Sequence, residues 1–137
     1  MKNLILSLML LMMTQYAVAE LKVTDSWIKI NPGNGRTAGA FMTINNIGGA
    51  DITLIGVSSS VSGMAHFHAV EITDGMVSMV PLNDVVVPAK GSVQFKMGGL
   101  HIMLMGIKNK LNTGDLVNLK FELDDGRSIT TAIQVAK

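Results

Sequence analysis

All three histidines of the 137-residue chain, and six of its methionines, lie between positions 64 and 105. Imidazole nitrogens and thioether sulfurs are neutral donors, and soft ions such as Cu(I) prefer them. A thioether cannot form a disulfide, so these donors suit an oxidising compartment outside the cytoplasm. The cluster therefore indicates a soft-metal site. Its members are Met64, His66, His68, Met76, Met79, Met97, His101, Met103 and Met105.

The segment GGLHIMLMGIK at 98–108 places two of these donors on a predicted β-strand. Successive side chains of a strand point to opposite faces, so His101 and Met103 share one face. Ile102 and Leu104 lie on the other face and suit a core. We therefore expect one face of this strand to pack and the other to bind a metal ion.

A second pair of donors lies on a predicted hairpin. Asp74-Gly75 separates the alternating runs 68–73 and 76–82, and Asp-Gly is a typical hairpin turn. His68 lies on the first arm and Met79 on the second, so pairing of the arms brings them near each other. The expected site has two imidazoles and two thioethers, from His68, Met79, His101 and Met103.

Two further donors compete for this site. His66 shares a strand face with His68, and Met64 lies two residues earlier. Both are interpreted either as loop residues or as auxiliary ligands. Methionine also fills irregular gaps in a core, so other methionines are expected to pack. These are Met42, Met97 and Met105, while Met76 is expected to pack or to support the ligands without binding.

The elements that position these donors are short runs separated by Gly, Pro, Asn and Asp. Short, evenly spaced strands without a helical period predict an all-β sandwich or small barrel. Trp27 is expected in the core, or close enough to shield a bound ion. Pro88 suits a sheet edge or a turn. The predicted strands cover 21–30, 38–46, 52–59, 68–73, 76–82, 92–97, 100–108, 116–126 and 127–137.

The first nineteen residues have the pattern of a secretory signal peptide. Lys2 is basic, residues 4–13 are apolar but too short to span a bilayer, and Ala17-Val18-Ala19 is a small-x-small cleavage site. We expect cleavage after Ala19, which leaves 20–137 as a single domain in the periplasm. A retained membrane anchor is the alternative, and the short apolar run disfavours it.

Charge and cysteine content exclude several classes of function. Loss of Lys2 leaves ten basic side chains against ten acidic ones, so nothing favours nucleic acid or an anionic membrane. No later apolar run is long enough to cross a membrane. Because the chain has no cysteine, it cannot form a thiol nucleophile, a zinc–thiolate site or a His₂Cys blue-copper site.

The spacing of the four expected ligands, H-x10-M-x21-H-x-M, matches the metal motif of the periplasmic Cu(I) chaperones called PCu(A)C proteins. The block GGLHIMLMGIKNKLNTGD at 98–115 closely resembles the most characteristic stretch of that family. DSWIK at 25–29, TINNIGGADITLIGVSS at 43–59 and VPAKG at 87–91 also resemble it. The resemblance covers essentially the whole chain after the leader.

The resemblance implies a cupredoxin-like, Greek-key β-sandwich that holds Cu(I) near its surface. It also implies a recipient, either the CuA domain of cytochrome c oxidase subunit II or a Sco-type assembly protein. Family members often carry a methionine two residues after the first histidine, whereas this chain has Val70. His66 or Met64 therefore remains able to supplement or replace a ligand.

A monomeric copper carrier, not an enzyme, is the expected function. Neutral ligands near a surface can release an ion by ligand exchange, and no substrate or activated water is indicated. Periplasmic copper buffering and a metal-independent β-sandwich binding module are the alternatives. A copper enzyme of the polysaccharide-oxidising kind needs an N-terminal histidine, where Glu20 is expected. A Ser-His-Asp hydrolase lacks a G-x-S-x-G pattern.

Overall fold

The computed structural model describes residues 20–33 and 35–136, and the leader expected at 1–19 lies outside them. Within the described residues the chain forms ten β-strands and no helix, which confirms the all-β prediction. The strands are β1 (Leu21–Ile30), β2 (Thr37–Asn46), β3 (Ile52–Ser59), β4 (Ser62–Thr73), β5 (Met76–Leu82), β6 (Val85–Val87), β7 (Ser92–Phe95), β8 (His101–Ile107), β9 (Leu116–Leu123) and β10 (Ser128–Gln134).

Two antiparallel sheets make up the fold. The first runs β1-β2-β8-β4-β5, with β7 also paired to β2, and the second runs β10-β9-β3-β6. β8 lies between β2 and β4, so the chain crosses between the sheets as in a Greek-key sandwich. A single parallel bridge from Ile28 to Val135 links β1 to the segment after β10. In the part of the chain described, no helix is long and apolar enough to span a bilayer.

The core lies between the two sheets and is formed by the inward-facing residues of each strand. Phe67 of the first sheet stacks on Phe121 of the second, with ring centroids 6.5 Å apart, and contacts Phe95 at 6.1 Å. Ile102 and Leu104 of β8 are fully buried. Full burial of each such side chain stabilises the fold by about 1.5–3 kcal/mol. β8 is thus fixed in place by its inner face.

β4 is longer than the sequence predicts, because it begins at Ser62 and not at residue 68. Its first half pairs with β8, and its second half pairs with β5 from Phe67 onward. The segment 62–67 contains few residues with a high strand propensity, so its conformation comes from the pairing with β8. The long β4 places both His66 and His68 on a strand.

Candidate metal centre

The outer face of the first sheet carries the soft donors in three parallel rows. Cross-strand partners in an antiparallel pair lie on the same face, about 4.5–5.5 Å apart at Cβ. The register of β4 against β8 therefore pairs a donor with a donor at three successive outward positions. The first row is His68 and His101, the second is His66 and Met103, and the third is Met64 and Met105.

His101 is buried, and the backbone carbonyl of Gly99 orients its ring. Its side chain is 5% exposed, and its Nδ1 lies 2.8 Å from the carbonyl oxygen of Gly99. A carbonyl oxygen only accepts, so Nδ1 carries the donated hydrogen and the lone pair of the neutral ring is on Nε2. That Nε2 is buried and has no hydrogen-bond partner. A backbone carbonyl orienting the opposite ring nitrogen is the usual support of a metal-binding histidine.

His68 complements His101 from the adjacent strand. The two ring centroids are 5.7 Å apart and the ring planes meet at 73°. Nδ1 of His68 is also buried without a hydrogen-bond partner. Burial of the imidazole lowers the pKa of His68 below its ordinary 6.5, and repulsion from His101 and His66 lowers it further. At neutral pH the ring is therefore kept in the uncharged form that binds a metal.

Met103 is partly buried beside His101, and Asn31 orients it. The Nδ2 amide of Asn31 lies 4.0 Å from the sulfur of Met103 and 2.8 Å from the hydroxyl oxygen of Thr37. The contact to sulfur is a weak hydrogen bond, whereas the contact to Thr37 fixes the amide. One side of the thioether thus faces Asn31, which leaves its second lone pair for a metal ion.

Met79 completes the expected set from the edge strand β5. It pairs with Val70, two positions beyond the pairing of His68 with Pro81, and so lies diagonal to His68 on the same face. Its side chain is 59% exposed. Met79, His101 and Met103 line one pocket of about 190 Å³. The structure thus places three of the four predicted ligands in one pocket, with His68 next to His101.

An aromatic wall covers the site on the side of β1 and β2. Trp27 packs on Phe41 with ring centroids 4.6 Å apart, and Phe41 lies 6.5 Å from the ring of His101. A Cβ at Gly39 would lie only 2.8 Å from Cζ of Phe41, so glycine makes room for this ring. Trp27 is therefore not in the core, where the sequence first places it, but half-buried on the outer face, where it packs on Phe41.

The remaining histidine and methionines divide into four groups. Met42 is buried in the core, as predicted. Met97 was expected to pack at the end of a strand, but β7 ends at Phe95, so Met97 lies in the following turn and is 54% exposed at the rim of the pocket. Met76 is 74% exposed on the hairpin and neither packs nor supports a ligand. Met64, His66 and Met105 share the outer face of the site, one to two rows away from His68 and His101.

Sequence reasoning missed the supporting residues Asn31, Gly39, Phe41 and Gly99. The sequence marks 31–37 as a loop and 38–46 as a strand, but only the register shows that both border the pocket. Within the described residues, no three His, Cys, Asp or Glu side chains group to hold a metal ion.

Comparisons with known sequences agree with this geometry. The family model described as "Putative lipoprotein LpqE-like" matches residues 21–135. The protein named "Putative lipoprotein Lxx21020", from Leifsonia xyli subsp. xyli, is 29% identical over 116 residues, which cover 84% of this chain and 69% of that protein.

Solved structures share the fold. The copper-bound PCuAC domain from PmoF2 superposes with a TM-score of 0.72 at 21% identity, covering 88% of this chain and 96% of that one. Apo-DR1885 from Deinococcus radiodurans gives a TM-score of 0.67 at 27% identity, covering 88% of this chain and 81% of that one. Its Cu(I) form gives 0.64 at 27% identity, with 88% and 79% covered. These matches confirm the predicted cupredoxin-like fold.

Proposed function

The chain belongs to the LpqE-like, PCu(A)C family, and from this premise we propose that it is a copper chaperone that carries one Cu(I) ion. The ligands are His68, Met79, His101 and Met103. One observation carries this assignment: two adjacent imidazoles each have a buried ring nitrogen without a hydrogen-bond partner, beside a pocket lined by thioethers. Burial of an unpaired polar nitrogen is costly, and coordination of a cation compensates for it.

The donor set favours Cu(I) over other biological ions. All four donors are neutral and two are thioethers, which suit a soft monovalent ion and are poor ligands for Mg²⁺ or Ca²⁺. The described residues that line the pocket include no carboxylate. DR1885 from Deinococcus radiodurans, which is 27% identical to this chain, also has a structure in its Cu(I) form.

Exposure increases across the site in a way that suits a carrier. His101 is 5% exposed, whereas Met79 is 59% exposed on the edge strand. An incoming ligand from a recipient can therefore replace Met79 while His101 still holds the ion. Exchange of this kind needs no bound substrate and no activated water, so the protein is a carrier and not an enzyme.

The chaperone acts outside the cytoplasm, in the periplasm. The leader pattern at 1–19 and the lipoprotein names of the matched family and of the Leifsonia xyli relative support export. The recipient is the CuA domain of cytochrome c oxidase subunit II or a Sco-type assembly protein. Ile72, Met76 and Val77 are each more than two-thirds exposed on the hairpin next to Met79, which offers an apolar surface for such a partner.

Copper buffering for tolerance is the second candidate, and it uses the same site. Deletion of the gene separates the two functions. Loss of oxidase activity at normal copper levels supports delivery, whereas intact oxidase with raised copper sensitivity supports buffering. A metal-independent binding module gives no reason for the unpaired nitrogens of His68 and His101.

The direct test is an anaerobic titration of the purified protein with Cu(I), in competition with a chromophoric chelator. We expect a high-affinity equivalent in the native protein that His101→Ala abolishes and that Met76→Leu, an exposed control on the hairpin, retains. A folded native protein that binds no Cu(I) tightly contradicts the proposal. If the native protein binds Cu(I), native mass spectrometry with a purified CuA domain or Sco-type protein then measures the transfer of copper to that recipient.

A further inference from the structure

We propose that the outer face of β4 and β8 holds a second Cu(I) ion, bound by Met64, His66 and Met105. Met64 and Met105 face each other across the two strands, and His66 occupies the next outward position on β4. This proposal rests on the proposed Cu(I) chemistry of the first site, because both sites take the same ion. Met64 and His66, which the sequence offers only as auxiliary ligands of the first site, then belong to a separate site.

The register separates Met64 and Met105 from His68 and His101, whereas His66 lies in the row between them, opposite Met103. Residues two apart on a strand lie about 6.6 Å from each other, so the third row lies about 13 Å from the row of His68 and His101. No single ion can bind donors in both rows without moving the strands. The pocket lined by Met79, His101 and Met103 includes none of the three proposed ligands.

Ring orientation gives a second reason to separate the sites. The rings of His66 and His68 are almost parallel, at 12°, with centroids 6.3 Å apart. The lone pair of an imidazole nitrogen lies in the ring plane, so two stacked rings do not point their lone pairs at an ion between them. The rings of His68 and His101 meet at 73°, an arrangement that allows convergence. His66 and His68 therefore do not converge on one ion.

Packing does not account for Met64 or His66, whereas Met105 is partly buried. Met64 is 56% exposed and His66 is exposed, although β4 at these positions belongs to a regular pair. Exposed strand positions ordinarily carry polar or β-branched residues, and methionine is common where it fills a core. The pairing of β5 with β4 starts only at Phe67, so β4 has no β5 partner alongside Met64 and His66. An ion can reach this donor set from solvent.

The donors suit a second, weaker Cu(I) ion. Two thioethers and one imidazole form a neutral, three-coordinate set for a soft ion. Greater exposure to water makes this set a weaker competitor for copper than the partly buried first site. Ions at the two positions would lie on one strand pair, with Met103 and the stacked rings of His66 and His68 between them.

Methionine-methyl NMR during an anaerobic Cu(I) titration tests the proposal, because Cu(I) is diamagnetic. We expect the methyl signals of Met79 and Met103 to shift with the first equivalent. Those of Met64 and Met105 should shift with a second equivalent. The double variant Met64→Leu/Met105→Leu should keep the first event and bind the second ion more than about tenfold more weakly. Met76→Leu is the matched control and should keep both events.

Two results would overturn the second site. If Met64 and Met105 shift together with Met79 during the first equivalent, they belong to one enlarged site. If the native protein saturates at one equivalent of Cu(I) and the methyl signals of Met64 and Met105 do not shift, these two residues bind no copper. The two proposals remain distinguishable, because His101→Ala should remove the first event and leave the second. The leucine substitutions nearly conserve volume, and thermal unfolding of each apo variant verifies its fold.

Discussion

The two faces of β8 are covered in different ways, although they share one backbone. On the inner face, Ile102 and Leu104 are fully buried against the aromatic core. On the outer face, His101 is nearly as well buried, but its Nε2 has no hydrogen-bond partner. Burial of the inner face thus stabilises the fold, whereas burial of the outer face leaves a ring nitrogen without a hydrogen-bond partner, which we propose binds the metal ion. The buried fraction of a side chain therefore does not distinguish a core residue from a candidate ligand, whereas an unpaired ring nitrogen does.

The largest expected effect is a loss of stability when a buried side chain on the inner face of β8 is removed. Leu104→Ala removes a fully buried side chain and leaves a cavity, so it should lower the free energy of unfolding by about 2–5 kcal/mol. Urea unfolding of the apo protein measures the loss. The folded fraction should still bind Cu(I) with native affinity. A variant that keeps its stability but loses copper would show that the two faces are not independent.

A substitution on the outer face is expected to have a smaller effect, which falls on copper affinity and not on stability. Met103→Leu should weaken binding of the first Cu(I) ion by more than about tenfold, because it removes a thioether donor. The cost in stability should stay below about 1.5 kcal/mol, since the swap nearly conserves volume. Met42→Leu in the core is the matched control and should leave copper affinity unchanged. Unchanged affinity in Met103→Leu removes this residue from the site.

The smallest effect is a pH dependence that arises at His68. Burial first, and then His101 and His66, lower the pKa of His68 below 6.5 in the folded protein. As pH falls through 6.5, the unfolded chain takes up a proton that the folded protein resists, so stability is lost. Above that pH both states are neutral and His68 contributes no slope. Below the lowered pKa the loss is complete.

Thermal unfolding of the apo protein between pH 7.5 and pH 5 measures this dependence. His68→Gln should lose less stability over the same interval than the native protein does. Equal losses in the two proteins would show that the imidazole of His68 is not desolvated.

The alternating pattern predicts much of this architecture, but not the neighbours of each strand. The hairpin at Asp74-Gly75 and the strand carrying His101 follow from residue types, because turn chemistry and a two-residue period are local. The insertion of β8 between β2 and β4 depends on contacts distant in sequence. Met97 and the row of Met64 and Met105 could not be placed without that register.

The family motif predicts four ligands by spacing, and the structure shows which residues contact two of these side chains. The hydrogen bond from His101 to Gly99 and the amide of Asn31 come from a turn and a loop, whose conformations the sequence does not determine. The length of β4 was also missed, because its first half has weak strand propensity and is ordered by its partner.

Gly39 has a consequence for how variants of this protein are interpreted. A side chain at position 39 places its Cβ 2.8 Å from Cζ of Phe41, so the ring of Phe41, on which Trp27 packs, must shift. We expect this shift to expose His101 to water while His68, Met79, His101 and Met103 are all retained in the sequence. Natural sequences with all four ligands intact can therefore still encode a poor copper carrier, and an inventory of histidines and methionines would not reveal it.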